Sequence, residues 1–339
     1  MIVFHHPSHR LHDPTENHVF AGRSLPPAEV AERADRILGN LDGFQIDAPA
    51  PLDTDLLADV HHPDYLRFLE TAHSRWRAAT GAPASGEAVA YIRPLPDTPW
   101  NEPDHVLAQL GRYSNDVDPI LEGTWEAALA SAACAVAAAE AVTSGADGAY
   151  GLCRPPGHHA APGTFGGYCY LNNAALAAAR LRREGGRVAI LDLDTHHGNG
   201  TQTVFWDRSD VLTVSIHGDT TEHYPFFLGH ADERGGPQAE GANLNLPLPT
   251  GTGWEGYREA LTDAAAAIRG FAPDWLVVPL GVDTHTAHGV LALEGEDYNR
   301  LGERIAALGL PTVLVQEGGY APGCLEEAVP AVLASFRGT

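Results

Sequence analysis

RVAILDLDTHHGNG, residues 187–200, starts as a strand and ends in charge. Val188 to Leu191 are apolar without a break, and then Asp192, Asp194, His196 and His197 follow within six positions. A run that is apolar at every position suits a strand covered on both faces, as in a parallel sheet. Two carboxylates this close repel each other, and leaving one unpaired in the interior costs several kcal/mol. Either they lie in water or they hold a cation.

Working outward, GAYGLC (148–153), DVLTVSI (210–216), DWLVVPLG (274–281) and PTVLVQ (311–316) have the same strand character. Between them, residues 125–142, 172–184, 257–271 and 298–309 carry helical patterns. Strands alternating with helices predict an α/β chain, with a mostly parallel central sheet and helices on both faces. Residues 80–123 are rich in Pro, Gly and Asp and show no clear period, so they are expected to form a long loop insertion. No internal repeat or linker divides the chain, which predicts one domain over 1–339.

The 339 residues include 21 basic and 44 acidic side chains, a net charge of −23. Phosphates would be repelled, which argues against a nucleic-acid partner. A cationic small molecule or a solvated acidic surface fits better. All the basic residues are arginine, so Schiff-base and lysine general-base chemistry are excluded. Cys134, Cys153, Cys169 and Cys324 are scattered and form no C-x-x-C pair, so neither a disulfide framework nor a zinc–cysteine site is expected. The start, MIVFHHPSHRL, lacks a basic-then-apolar signal, and no apolar run is expected to reach membrane-spanning length. These features predict a cytoplasmic protein with reduced thiols and no membrane partner.

In open α/β sheets ligands bind beyond the carboxyl ends of the strands, and here those ends hold the reactive residues. His158 and His159 follow one strand, and Asp192, Asp194, His196 and His197 follow the next. Asp283 and Tyr320 follow two more. Four strands delivering polar groups to one rim point to an enzyme. Alternation along residues 192–196 turns Asp192, Asp194 and His196 to one side. Asp194, His196 and Asp283 then make a three-ligand set with open positions, suited to catalytic Zn2+ and also to Fe2+. Asp192 is placed to orient a histidine. A neutral imidazole at 158 or 159 can take a proton from water and return it to a leaving amine. The Tyr320 phenol can donate to a carbonyl oxygen as charge develops on it.

RPPGHH, FGGYCYLNNAA, LDLDTHHGNGTQ, GVDT and EGGY, in this order, resemble the zinc-dependent histone deacetylase family, above all its bacterial acetylpolyamine amidohydrolases. The resemblance spans nearly the whole chain and implies the arginase–deacetylase fold. It also implies zinc on Asp194, His196 and Asp283, with His159 as general base and acid and His158 as its electrostatic partner. Tyr320 would polarise the carbonyl, while Asp192 and Asn199 would orient the two histidines. Tyr168 and Tyr224 match the walls of an acyl tunnel, and Gly167 and Gly318 match substrate-binding positions. Backbone groups near Asp192 and His196, and near Phe205, Arg208 and Val211, match structural K+ sites. A homodimer, with the 80–123 loop at its interface, follows from the same resemblance. The implied substrate is an N-acetylated small cationic amine, with Asp116 and Asp118 near the position of an amine-binding carboxylate. A second acidic position of the family's loop falls on Leu107.

Other readings are a deacylase of acetyl-lysine in proteins or of another N-acyl metabolite, and an acyl-binding module without activity. A binuclear manganese ureohydrolase needs a further carboxylate where Gly198 stands, and is rejected. Family members usually carry a longer, Asp-Pro-containing segment where this chain reads THTAHGVLAL. His285 and His288 in it are expected to lie in a solvated loop.

Overall fold

A computed structural model describes residues 1–20, 22–95 and 99–338. Its strands are β1 Ile2–Phe4, β2 His18–Phe20, β3 Arg23–Leu25, β4 Gln45–Asp47, β5 Gly148–Gly151, β6 Val188–Asp192, β7 Val211–Gly218, β8 Asn243–Leu248, β9 Trp275–Leu280 and β10 Thr312–Gln316. Eight of them form one sheet in the order β4-β1-β5-β10-β9-β6-β7-β8, with every pairing parallel. β2 and β3 make a separate antiparallel hairpin. The helices are α1 Glu32–Leu38, α2 Pro63–Thr80, α3 Val106–Tyr113, α4 Thr124–Thr143, α5 Asn173–Arg182, α6 Asn199–Phe205, α7 Trp254–Phe271, α8 Glu296–Ala306 and α9 Cys324–Gly338.

Strand alternation feeds two cores, one on each face of the sheet. Val188, Ile190, Val277, Val313 and Val315 pack with residues of α2, α3, α4 and α5. Ala189, Leu191, Leu276, Val278 and Leu314 pack with residues of α1, α7, α8 and α9. All five expected strands and all four expected helices are present, with ends shifted by a few residues. β1 and β4 escape a periodicity reading because each has only three residues. The edge strand β8 is apolar only at alternate positions.

Two expectations need correction. The 80–123 stretch is not without regular structure, because α3 lies within it and buries Val106, Leu110 and Tyr113; residues 96–98 of that stretch lie outside the described residues. The expectation about apolar runs also fails: α4 is 20 residues long and apolar enough to cross a membrane by length and composition. Its alanines explain this differently. They let the helix approach the sheet so closely that a Cβ on Gly151 of β5 would sit 3.0 Å from the Ala135 nitrogen.

Candidate active site

β5, β10, β9 and β6 are neighbours at the centre of the sheet, and the segments beyond their carboxyl ends meet at one place. The β6 strand ends at Asp192, so strand alternation does not continue to His196. A turn does the work instead. The Asp194 amide donates to Asp192 Oδ1 at 3.1 Å, and the His196 amide donates to Asp194 Oδ1 at 2.9 Å.

Asp194, His196 and Asp283 bring one ligand atom each to within 4.8 Å of one another. His196 Nδ1 lies 3.3 Å from Asp194 Oδ1 and 3.0 Å from Asp283 Oδ2. The remaining oxygens are held by backbone: the Gly318 amide donates to Asp194 Oδ2 at 2.8 Å and the Thr195 amide to Asp283 Oδ1 at 2.9 Å. Both carboxylates are fully buried. Burial alone would lower the His196 pKa, yet its bonds to the two aspartates push it up to about 10. So negative a field is one that a bound cation answers, and a mixed oxygen–nitrogen set of three suits a divalent metal. The cradle is also close-fitting. A Cβ on Gly318 would stand 2.5 Å from Asp283 Oδ2 and 2.6 Å from Asp194 Oδ2, and one on Gly281 would stand 1.9 Å from Asp194 Oδ2.

The two histidines differ in partner and in exposure to ligand. His158 Nδ1 lies 3.0 Å from Asp192 Oδ2. Burial works against its charge, but Asp192 and Asp194 outweigh it and raise the pKa to about 10. His159 Nδ1 lies 2.7 Å from Asn199 Oδ1. Burial, then the neighbouring His158 and His196, hold its pKa well below the ordinary imidazole value. Only His159 of the pair lines the cavity described next.

That cavity, of about 280 Å³, is lined by His159, His196, Tyr168, Tyr224 and Tyr320, with Asp116, Asp118 and Gly167 among its other walls. The Tyr224 ring stands nearly perpendicular to His159, with centroids 4.9 Å apart, and Tyr168 meets Tyr320 edge-on at 5.6 Å. Gly167 and Tyr168 are both left-handed, at φ +58° and +67°. A side chain at 167 would strike the His159 ring 2.2 Å away. Two carboxylates brace this strained pair. Asp116 Oδ2 accepts from the Gly167 amide at 2.6 Å and from the Tyr224 hydroxyl at 3.1 Å, while Asp118 Oδ2 accepts from the Tyr168 amide.

Three placements differ from expectation. Gly318 is not among the residues lining the cavity; it packs against the carboxylates and its amide donates to Asp194. Leu107, on α3, packs half-buried against the core and is not among the residues lining the cavity. His288 is not in a solvated loop: it is half-buried and bonded to the segment carrying Tyr320, whereas His285 caps a short turn through the Ala287 amide.

Sequence reading missed Glu29 and Arg33. Glu29 lines the cavity but is engaged by Arg33 at 2.7 Å and Arg154 at 2.8 Å. Arg33 donates to the carbonyls of Gly319 and Glu317, both at 2.7 Å, and its guanidinium lies 4.4 Å from the centre of the Tyr320 ring. Nothing in AERADRIL marks that arginine as buried.

Residues 27–336 match the family model of the histone deacetylase domain. The chain is 43% identical to acetylpolyamine amidohydrolase 1 of Pseudomonas aeruginosa, covering 100% of this chain and 99% of that one. It is 42% identical to the acetylpolyamine amidohydrolase of Mycoplana ramosa, over 94% and 95% of the two chains. The crystal structure of the acetylpolyamine aminohydrolase from Burkholderia pseudomallei superposes with a TM-score of 0.93 at 44% identity, covering 99% and 98%. The chain belongs to the histone deacetylase family.

Proposed function

We propose that this protein is a metal-dependent amidohydrolase that removes the acetyl group from a small cationic amine of the acetylpolyamine type. The observation that carries the reading is the cavity that reaches His196 of the Asp194–His196–Asp283 set, with His159 and Tyr320 on its walls. The names of full-length relatives point to the same substrate class. Zn2+ is the metal proposed, with Fe2+ as the alternative the donor set also suits. Held there, the metal would polarise the acyl carbonyl and acidify the attacking water.

The chain's own residues divide the remaining work. His159, kept neutral by its surroundings, takes the proton of the attacking water. Asn199 fixes the ring by accepting from Nδ1, which leaves Nε2 as the proton-accepting nitrogen. His158, kept cationic beside Asp192, favours negative charge at the reacting centre. The Tyr320 hydroxyl donates to the carbonyl oxygen as charge develops on it. The carbon–oxygen bond forms, the carbon–nitrogen bond breaks, and His159 returns the proton to the departing amine. The products are acetate and the free amine.

The proposal has three further parts. Structural K+ is proposed, from the family resemblance, at the backbone around Asp192 and His196, and around Phe205, Arg208 and Val211, where the carbonyls of Phe205 and Arg208 accept from the amides of Arg208 and Val211. A homodimer is proposed through the 80–123 segment, which exposes Tyr91, Ile92, Leu95 and Trp100. Residues 1–339 are proposed as one catalytic unit in the cytoplasm, in keeping with four buried free cysteines.

Turnover of acetylputrescine, acetylspermidine, acetyl-lysine peptides and longer acylamines tests the substrate class. Preference for the acetylpolyamines is expected. Preference for the peptides would favour the protein deacylase reading, and no turnover in the metal-loaded protein would favour an acyl-binding module. Sedimentation of the native protein as a monomer would reject the dimer.

A further inference from the structure

The segment after β9 contains a single turn of 3-10 helix, Thr286–His288, closed by Gly289 at φ +76°. This turn carries His288 back to the end of β10. There its Nε2 lies 2.9 Å from the Tyr320 amide nitrogen and 3.0 Å from that of Ala321. Both amides can only donate, so Nε2 is the acceptor and carries no proton. The other ring nitrogen agrees with this: Nδ1 lies 3.3 Å from the His285 carbonyl, to which it donates. The two rings meet edge-on, with centroids 6.2 Å apart.

Tyr320 needs such an anchor. It follows Gly318 and Gly319, the latter at φ +123°, and α9 does not begin until Cys324. Arg33 holds the carbonyls of Glu317 and Gly319 on the approach. On the far side, His288 is what receives the backbone amides of Tyr320 and of the residue after it.

We propose that His288 is a positioning residue for Tyr320: its unprotonated Nε2 gathers two successive backbone amides and so fixes where the phenol hydroxyl stands. This rests on the role given to Tyr320 under the proposed function. His288 itself is not among the residues lining the cavity. Its loss is therefore felt in turnover and not in substrate binding.

The test compares His288→Phe, which keeps the ring shape without the acceptor, with His288→Gln, whose amide oxygen reaches about as far as Nε2. Each is made in the wild type and in Tyr320→Phe, with acetylputrescine as substrate, and metal content and thermal melting report whether the site is intact. His288→Phe is expected to lower kcat roughly ten- to a hundredfold with KM within about twofold, since a displaced donor loses less than an absent one. His288→Gln should recover most of that loss. In the Tyr320→Phe background, His288→Phe should cost nothing further. His288→Ser, which removes the acceptor without adding bulk, serves in the same way if the Phe variant does not fold. Wild-type kcat in an acceptor-less variant, or an equal loss with and without the Tyr320 hydroxyl, overturns the inference. Wild-type turnover by Tyr320→Phe alone would instead overturn the role of Tyr320, a separate failure.

Discussion

The ring of His159 is held by an amide, its Nδ1 lying 2.7 Å from Asn199 Oδ1. The equivalent nitrogen of its neighbour His158 faces a carboxylate, Asp192, at 3.0 Å. Adjacent imidazoles with the same ring orientation towards their partners are thereby driven in opposite directions, one below its ordinary pKa and the other above it. A neutral base beside a cation is a division of labour that suits acyl hydrolysis at neutral pH.

Asn199→Asp should therefore move the acid limb of the kcat/KM profile to higher pH. A carboxylate in place of the amide favours the imidazolium and raises the pKa of His159. The base is then protonated, and inactive, over a range of pH in which the wild type still works. Because kcat/KM reports the free enzyme, the profile can be measured with any turned-over acetylamine. An unmoved acid limb would mean that another group governs it.

Metal dependence is tested at Asp283. Asp283→Ala leaves Asp194 and His196 as the remaining members of the set and deprives the Thr195 amide of its acceptor. The variant should retain little transition metal by elemental analysis and show no measurable turnover. Chelation of the wild type should abolish activity, and added Zn2+ or Fe2+ should restore it. Full activity in the metal-free protein would end the mechanism proposed here.

Tyr320→Phe should lower kcat by roughly a hundred- to a thousandfold, the usual cost of removing one oxyanion donor, about 2.7–4 kcal/mol. KM should change little. His159→Ala should be at least as damaging, because two proton transfers depend on that ring. If His158→Ala proved the more damaging of the two histidine variants, their roles would be exchanged.

Legibility in the sequence followed the length and purity of each signal. β6, β9 and β10 are buried at nearly every position, and their apolar runs could be read directly. The candidate metal set is legible because Asp194, His196 and Asp283 follow such strands. What a side chain does at the other end of a long contact was not visible. Asp116 and Asp118 look like free carboxylates in SNDVDP, yet each is spent partly on a backbone amide some 50 positions away. His288 looked solvated because its partners, the amides of Tyr320 and Ala321, leave no mark on the sequence. β1 and β4 are too short to show a period, and α3 is hidden in a Pro- and Gly-rich stretch.

Gly167 gives a prediction that no local pattern supplies. Its left-handed φ and the His159 ring beside it leave no room for a Cβ. Gly167→Ala should displace that ring or the Tyr168 wall and reduce kcat/KM by roughly a hundredfold or more, as an ångström-scale misplacement does. Thermal melting should show the variant folded. Near wild-type kcat/KM would mean the loop relaxes away from the base at little cost.

Amine recognition, if it is made by a carboxylate of this wall, is expected at Asp116 and not at Asp118. Asp118 is 4% exposed, and burial followed by the charge of Asp116 raises its pKa well above the usual carboxylate range. Asp116 is only half-buried, and it lines the cavity beside Tyr224. A protonated amine reaching it would gain a charge-assisted bond of about 1.5–3 kcal/mol, or roughly ten- to a hundredfold in specificity. Asp116→Asn keeps an oxygen to accept from the Gly167 amide while removing the charge. It should lower kcat/KM for acetylputrescine by that factor and leave a neutral acetylamide of equal length nearly unchanged. Long-range attraction by the net charge of −23 is screened beyond about 8–10 Å at ordinary salt, so the difference should persist at moderate ionic strength. Equal losses on both substrates would assign Asp116 to bracing Gly167 and Tyr224 alone. Equal kcat/KM for the two substrates in the wild type would remove amine recognition from the mechanism.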